Sequence, residues 1–271
     1  MRSEDEMVAY ALEAHPALLP YLPELLADLD ELGSDARAIA SVVGDLDLTD
    51  SSTVVDLGCG KGAVAVEVAA KLHLTVLGID LFEPFIESCN ELARSRGVSE
   101  RCHFIRGDIL KLAGKIEPRD VAIFASLGDV LGPVGQTVSV IRRYVTPGGY
   151  MVIGDGFIKD GGSSDFPGFE QYAGRDEMIA RLTALGDTLV GEMIEAVDFD
   201  RGEDAKIAAR ANAIAAQRPQ IAAEVLNFAK MQTAEYDFLD KNFVGAIWVL
   251  RKPGATLPAT GLRQMRMVPT T

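Results

Sequence analysis

The chain has 271 residues, 48% of them hydrophobic, and a formal net charge of −14 at pH 7. A chain of this length buries about three quarters of its unfolded surface, so we expect one globular domain, or one domain with a small appendage. Because no apolar run reaches about eighteen residues, the sequence argues against a membrane partner, and its acidic balance disfavours nucleic-acid partners.

The cysteines and the first residues indicate a reducing compartment. Cys59, Cys89 and Cys102 are odd in number and lack C-x-x-C spacing, which favours free thiols over a disulfide framework or a zinc site. We therefore predict no metal. The first ten residues, MRSEDEMVAY, lack the basic head and apolar body of a secretory leader, so we expect a cytoplasmic protein.

The N-terminal segment, residues 1–48, is predicted to form a helical cap. Apolar residues at helical spacing indicate two or three short helices. Pro16, Pro20 and Pro23 fall where these helices would start or stop, because proline is tolerated poorly inside a helix.

Five short β-rich runs follow, separated by segments with helical spacing. They begin near residues 52, 74, 102, 120 and 148. Strands that are apolar on both faces and alternate with helices are typical of a parallel sheet covered on both sides. The sequence thus predicts a doubly wound α/β domain over about residues 50–155.

The remaining residues extend this domain. Residues 157–174 have the glycine, serine and proline density of a mobile loop. A helix near 175–185 and a strand near 188–198 come next, followed by a long alanine-rich helical segment broken at Pro219. The strand at 242–250 closes the domain, and residues 254–271 form a tail.

The segment VVDLGCGKGAVAVEVA, residues 54–69, places three glycines at alternate positions between a strand and a helix. Such a turn brings bare backbone N–H groups close to a ligand of the nucleoside type. Its spacing, G-x-G-x-G, differs from the dinucleotide fingerprint G-x-G-x-x-G. Asp56, two positions before the first glycine, suits a ligand with an ammonium group better than a pyrophosphate.

These residues resemble the first motif of the class I S-adenosylmethionine-dependent methyltransferases, and GIDLFEPFI, FIRGDIL, IFASLGDVLG and VTPGGYMVIGD resemble motifs that follow it. The resemblance implies that Asp56 reaches the amino group of the cofactor, Asp80 accepts both ribose hydroxyls and Asp108 accepts the adenine amino group. It implies that Ile109 packs on the adenine ring and that the end of the fourth strand faces the sulfonium. The cofactor site predicted in this way consists of Asp56, Gly58, Cys59, Gly60, Gly62, Asp80, Leu81, Gly107, Asp108, Ile109, Ser126 and Leu127.

The resemblance also implies the fold. We expect a Rossmann-like, seven-stranded, mostly parallel sheet with an antiparallel last strand, helices on both faces, and a helical lid. A looser likeness over VDFDRGED and FVGAIWVLRKP indicates a bacterial branch of small-molecule methyltransferases with helices inserted between strands six and seven. The methyltransferase domain would then span 49–253, with lid insertions at about 157–174 and 203–231.

The sequence says less about the molecule that accepts the methyl group. The segment SLGDVLG after the fourth strand lacks the Asn/Asp-Pro-Pro-aromatic signature of base N-methylation, and no cysteine follows a proline. Together with the acidic charge, this favours a small-molecule acceptor. Positioning alone can supply much of the rate, so a general base is optional. Candidates for such a base are His15, Glu13, Asp129, Asp155 and Tyr172.

Several of these residues also have purely structural interpretations. His15 precedes Pro16 and would end a helix, His73 would end another, and Trp248 in mid-strand suits the core. Tyr10, Phe157 and Tyr172 would either wall the acceptor pocket or fill the core. Two other functions stay open at this point, namely a non-catalytic S-adenosylmethionine sensor or scaffold and a nicotinamide-dependent oxidoreductase. We expect a monomer or a homodimer.

Overall fold

A computed structural model describes residues 2–33, 35–126, 128–194 and 201–254. In these ranges seven strands form one sheet in the order β3-β2-β1-β4-β5-β7-β6. The strands are β1 (Thr53–Leu57), β2 (Thr75–Asp80), β3 (Cys102–Arg106), β4 (Arg119–Ala125), β5 (Val145–Ile158), β6 (Thr188–Ile194) and β7 (Phe243–Arg251). Strands β1 to β5 pair in parallel, whereas β7 pairs antiparallel with β5 and β6. This confirms the predicted Rossmann-like sheet.

Helices lie on both sides of the sheet. They are α1 (Glu4–Ala11), α2 (Leu22–Leu25), α3 (Ala36–Gly44), α4 (Ala63–Leu72), α5 (Glu83–Ser95), α6 (Ile109–Leu112), α7 (Val134–Ile141), α8 (Arg175–Thr183), α9 (Arg201–Gln217) and α10 (Ala222–Asn242). One core joins α7 and α8 to one face of the sheet, and another joins α3 and α4 to the opposite face. None of the helices in the described ranges combines the length and the apolar character that crossing a bilayer requires.

The parallel direction of β1 to β4 determines where polar side chains gather. Asp56 of β1 lies opposite Gly78 of β2, and Asp80 ends β2 opposite Arg106 of β3. The carboxyl ends of neighbouring parallel strands meet at one edge of the sheet, which is where open α/β sheets bind ligands. Asp108, two residues after β3, lies at the same edge.

The N-terminal segment divides between two parts of the molecule. Helix α3 packs with α4 against the sheet. The 3₁₀ turn Pro16–Tyr21 and α2 pack instead on α9, α10 and Phe85, in a separate apolar core. We call this second body, formed by residues 2–33 with α9 and α10, the cap. Its core leucines, Leu18, Leu22, Leu25, Leu26 and Leu29, are buried.

Strand β5 is longer than the sequence pattern predicts. Because β7 pairs with β5 from Tyr150 to Ile158, the backbone stays extended through Phe157 and Ile158, which we expected in a loop. Asp155 therefore lies inside β5, opposite Ala246. Residues 195–198 of the predicted sixth strand, and the tail beyond 254, fall outside the described residues.

Other sequence interpretations agree with the structure. His73 ends α4 in a left-handed conformation with φ of +59°, and Trp248 is fully buried in β7. Pro219 lies in a 3₁₀ turn that separates α9 from α10. All three cysteines are buried free thiols, although Sγ of Cys59 lies 3.9 Å from Sγ of Cys89.

Candidate functional site

The glycine loop after β1 depends on positive φ angles. These are +73° at Gly58, +52° at Gly60 and +89° at Gly62, values that side chains with a Cβ rarely adopt. The amides of Gly58 and Cys59 donate to the carbonyl of Ile79, at 2.7 and 3.0 Å. The Gly60 amide donates to Asp80 Oδ2 at 2.9 Å, and the Gly62 amide to the carbonyl of Cys59 at 2.8 Å. We expected backbone amides free to donate to a ligand, but these four donate to protein acceptors and hold the loop to β2 and to itself.

Gly62 also allows helix α5 to approach the loop. A Cβ at Gly62 would lie 2.9 Å from Cys89 Sγ and 3.1 Å from Cys89 Cα. We expect Gly62→Ala to lower the free energy of unfolding by about 2–4 kcal/mol, because left-handed strain and overpacking add. Gly97→Ala is the matched control, since Gly97 has φ of +69° but open space around it. We expect Gly97→Ala to cost about 1 kcal/mol. Urea unfolding followed by Trp248 emission measures both, and equal losses would contradict a role for the Cys89 contact.

Asp56 is a buried carboxylate with an unsatisfied oxygen. The residue is 3% exposed, and its Oδ2 has no hydrogen-bond partner in the structure. Burial, and after it the neighbouring Asp80 charge, raise the pKa of Asp56 to about 7, although a backbone hydrogen bond from Ala65 acts to lower it. Leaving a buried acceptor unpaired costs free energy, so this carboxylate suits a ligand that donates hydrogen bonds or carries positive charge.

Asp80 is half-buried at the end of β2, beside the glycine loop. Its Oδ1 accepts from the amide of Phe82 at 2.9 Å, while its Oδ2 accepts from that of Gly60. Burial raises the pKa of Asp80 to about 6, against the lowering effect of these backbone hydrogen bonds. Two carboxylates of raised pKa thus lie next to each other at the sheet edge.

Asp108 ends the loop after β3 and caps α6. Its Oδ1 accepts from the amides of Leu110 and Lys111, at 2.8 and 3.4 Å, and its Oδ2 lies 3.5 Å from Lys111 Nζ. Ile109 is buried in the sheet core, and its carbonyl accepts from the hydroxyl of Tyr144 at 2.6 Å. Asp108 therefore already has structural partners, and Ile109 has a packing role.

The other predicted cofactor residues lie along the same edge. The amide of Gly107 donates to the carbonyl of Asp80 at 2.8 Å, and the carbonyl of Leu81 accepts from Arg106 Nε at 3.1 Å. Ser126 follows β4 with φ of +54°, and its amide donates to the carbonyl of Gly154 at 2.9 Å. Leu127 falls outside the described residues.

Asp155 of β5 forms a hydrogen-bonded pair with Tyr172. The residue before Asp155, Gly154, pairs with Ala125 at the end of β4. The Tyr172 hydroxyl donates to Asp155 Oδ1 at 2.7 Å, and Tyr172 is 7% exposed. Burial raises the pKa of Asp155 to about 7, while the Tyr172 hydrogen bond lowers it. Burial also raises the pKa of Tyr172 well above its usual value, and the Asp155 and Asp129 charges add to this. The pair therefore has a carboxylate that titrates near neutral pH.

Two more predicted candidates have partners of their own. The Tyr10 hydroxyl from α1 donates to both Asp129 oxygens, at 2.6 and 2.8 Å, and the guanidinium of Arg2 lies 3.7 Å from the centre of the Tyr10 ring. His15 Nδ1 accepts from the amide of Ala17 at 3.2 Å. His15 thus has a structural role as the N-cap of the 3₁₀ turn that follows it, but it does not end a helix as predicted, because α1 ends at Ala11.

Sequence reasoning missed two charged residues near this region. Glu235 of α10 faces Glu13 across the cap, and burial together with that neighbour raises the pKa of Glu235 to about 9. Lys61, inside the glycine motif, reaches the carbonyls of Leu26 and Leu29. No local pattern marks either residue, because the partners are far away in the sequence.

Comparison with known proteins agrees with this geometry. Residues 48–166 match a family model described as a methyltransferase domain. The sterol 24-C-methyltransferase of Debaryomyces hansenii is 29% identical over 105 residues, which are 38% of this chain and 28% of that protein. The 27-O-demethylrifamycin SV methyltransferase of Amycolatopsis mediterranei is 26% identical over 135 residues, 50% of this chain and 49% of that protein. The chain thus spans about half or less of the length of these curated relatives.

A solved structure extends the similarity beyond that domain. A methyltransferase from Thiobacillus denitrificans, in complex with S-adenosyl-L-homocysteine, superposes with a TM-score of 0.71 at 20% identity. The match covers 85% of this chain and 97% of the other. At that identity the likeness establishes a shared fold, including strands and helices outside residues 48–166.

Proposed function

We propose that this chain, which carries a class I S-adenosylmethionine-dependent methyltransferase domain, transfers the methyl group of that cofactor to a small molecule. The observation that carries this proposal is the unpartnered Asp56 Oδ2, which is buried beside the glycine loop. A cofactor with an ammonium group at one end satisfies this oxygen and stabilises the ionised carboxylate.

The other acids at the sheet edge fit the remaining parts of the cofactor. Asp80 would accept the ribose hydroxyls with the lone pairs that the Gly60 and Phe82 amides leave over, since a carboxylate offers about four acceptor positions. Asp108 would accept the adenine amino group. Cofactor donors would offset the cost of holding Asp56 and Asp80 close together.

Bound at this edge, S-adenosylmethionine supplies a methyl group already activated by a positive sulfur. The task of the chain is then to orient the acceptor and to exclude water, and positioning of this kind contributes about 7–11 kcal/mol. The cap and residues 159–174 would provide the exclusion, because Gly33 of the cap lies against Ser126 at the end of β4 and Tyr172 hydrogen-bonds Asp155 of β5.

For an acceptor that must lose a proton, we propose Asp155 as the general base, oriented by Tyr172. Its carboxylate titrates near pH 7, where a base is most effective, and the Tyr172 hydroxyl holds it by donating to Oδ1. His15 and Asp129 suit the role less well, since Ala17 occupies His15 Nδ1 and Tyr10 donates to both Asp129 oxygens.

The proposed acceptor is a small molecule, not a nucleic acid. The net charge of −14 opposes approach of a phosphate backbone, and relatives named for sterol and rifamycin methylation share the domain. The proposed location is the cytoplasm, in keeping with three free thiols of which two lie 3.9 Å apart.

Calorimetric titration with S-adenosylmethionine, S-adenosylhomocysteine and NADH tests the cofactor assignment. We expect binding of the first two and none of NADH. Asp80→Ala should weaken S-adenosylmethionine binding by about 10- to 100-fold, through loss of charged hydrogen bonds. Asp80→Asn, which keeps one oxygen, should lose less. Preference for NADH would overturn the proposal, and binding without methyl transfer in a metabolite screen would indicate a sensor.

A further inference from the structure

Residues 26–33 of the cap lie over the glycine loop, and we call this segment the roof. A Cβ at Gly60 would lie 3.4 Å from Leu32 Cδ1, and a Cβ at Gly33 would lie 3.2 Å from Ser126 Cβ. The roof therefore spans from the loop after β1 to the end of β4. These are the positions between which the methionine part of the cofactor would lie.

Lys61 joins the glycine loop to the roof. Its Nζ donates to the carbonyl of Leu26 at 3.1 Å and also to the carbonyl of Leu29. Leu26 is the C-cap of α2, where helix carbonyls lack intrahelical partners and a cation is favourable. Burial lowers the pKa of Lys61, while the charges of Asp30 and Asp28 oppose this. A half-buried ammonium that donates to two carbonyls makes a specific contact.

The opposite side of the roof is attached to the inserted helices. Asp28 accepts from Arg210 of α9 at 2.7 and 2.8 Å, and the roof leucines share the apolar core of α9 and α10. The roof is thus built into the cap on one side and held to the cofactor loop by Lys61 on the other. A cofactor bound between the roof and the glycine loop could enter and leave only if the roof moved away from the loop.

We propose that Lys61 is a positioning residue that holds the roof closed over the bound cofactor and thereby limits how fast cofactor and product leave. This inference rests on the proposed function. Lys61 acts through the roof, because two of the three N–H donors of its ammonium go to the carbonyls of Leu26 and Leu29. Its place between Gly60 and Gly62 joins the roof directly to the glycine loop.

The test measures dissociation of radiolabelled S-adenosylmethionine, chased with unlabelled cofactor, from the full-length protein. We expect Lys61→Met to speed dissociation at least about tenfold, since it removes both charged hydrogen bonds but keeps an apolar stem. Lys61→Arg, which still donates, should stay within about threefold of wild type. Arg210→Met is the matched control, because it loosens the far side of the same roof, and we expect less than about a twofold change.

Hydrogen exchange on the cofactor-free proteins provides a second readout. Amides of residues 22–33 should exchange faster in Lys61→Met, whereas those of β1 and β4 should not change. Tight binding with wild-type dissociation in Lys61→Met would overturn this inference alone. Failure of the wild type to bind the cofactor would overturn the proposed function and this inference together. The inference would be supported if Lys61→Met and Arg210→Met lost the same amount of thermal stability while only Lys61→Met released the cofactor faster.

Discussion

Asp56→Asn is expected to weaken S-adenosylmethionine binding by about 10- to 100-fold while making the cofactor-free protein more stable at pH 8. Both effects follow from the same buried oxygen, Asp56 Oδ2, which has no partner in the structure. The asparagine side chain is nearly isosteric but neutral, so it removes the charge that a cofactor ammonium would pair with. It also removes the cost of keeping that charge away from water, which we expect to raise the free energy of unfolding by about 1–3 kcal/mol.

The contribution of Asp56 to the free energy of unfolding falls as the pH rises. The pKa of Asp56 is about 7 in the folded protein and near its ordinary value of 3.8 in the unfolded chain. The folded state therefore binds the proton more tightly. The contribution of Asp56 to stability is complete below pH 3.8 and is lost as the pH rises through about 7, a change of up to about 4 kcal/mol.

Urea unfolding of wild type and Asp56→Asn at several pH values between 4 and 8 measures this difference. The two curves should diverge as the pH rises, with the variant the more stable. Asp50→Asn, at an exposed position before β1, controls for the change in net charge and should follow the wild type. A variant that binds the cofactor as tightly as wild type would contradict the assignment of Asp56.

Asp155→Asn is expected to lower kcat by about 100-fold or more with an acceptor that must lose a proton. The wild-type rate should rise with pH through about 7 as the carboxylate ionises. Tyr172→Phe removes the hydrogen bond that lowers the pKa of Asp155, so the pH profile should move to higher pH. Release of S-adenosylhomocysteine, followed across pH 5.5–9 with the acceptor found by the screen, measures all three proteins. An unchanged kcat with a raised KM in Asp155→Asn would assign Asp155 to acceptor binding instead.

The sequence predicted the sheet because its signals are local. The apolar runs and the glycine turn fix β1, α4 and β2 without reference to distant residues, and parallel pairing then brings Asp56 and Asp80 to one edge. The predicted end of β5 was wrong, because the interaction that extends this strand is not local. Phe157 and Ile158 stay extended only through pairing with β7, which lies about ninety residues further along the chain.

In the candidate site, too, the sequence predicts what local motifs determine and misses what depends on the tertiary fold. A motif places Asp56, Asp80 and Asp108, but it cannot show that neighbouring amides occupy the carboxylate of Asp80. Lys61 stands inside the most recognisable motif, yet its contact with Leu26 depends on how the cap folds back. The cofactor-binding roles of these residues remain predictions.

The apolar core of the cap has a consequence for biosynthesis. Leu18, Leu22 and Leu25 leave the ribosome early, but the α9 and α10 residues that cover them are made late, and Arg210 follows its partner Asp28 by 182 residues. During translation these leucines lack most of their native packing surface, all but the contribution of Phe85, until the inserted helices emerge. Non-local closure of this kind is slow, so we expect docking of the first thirty residues to be a late folding event, and nascent chains stalled before α9 to engage chaperones through that segment.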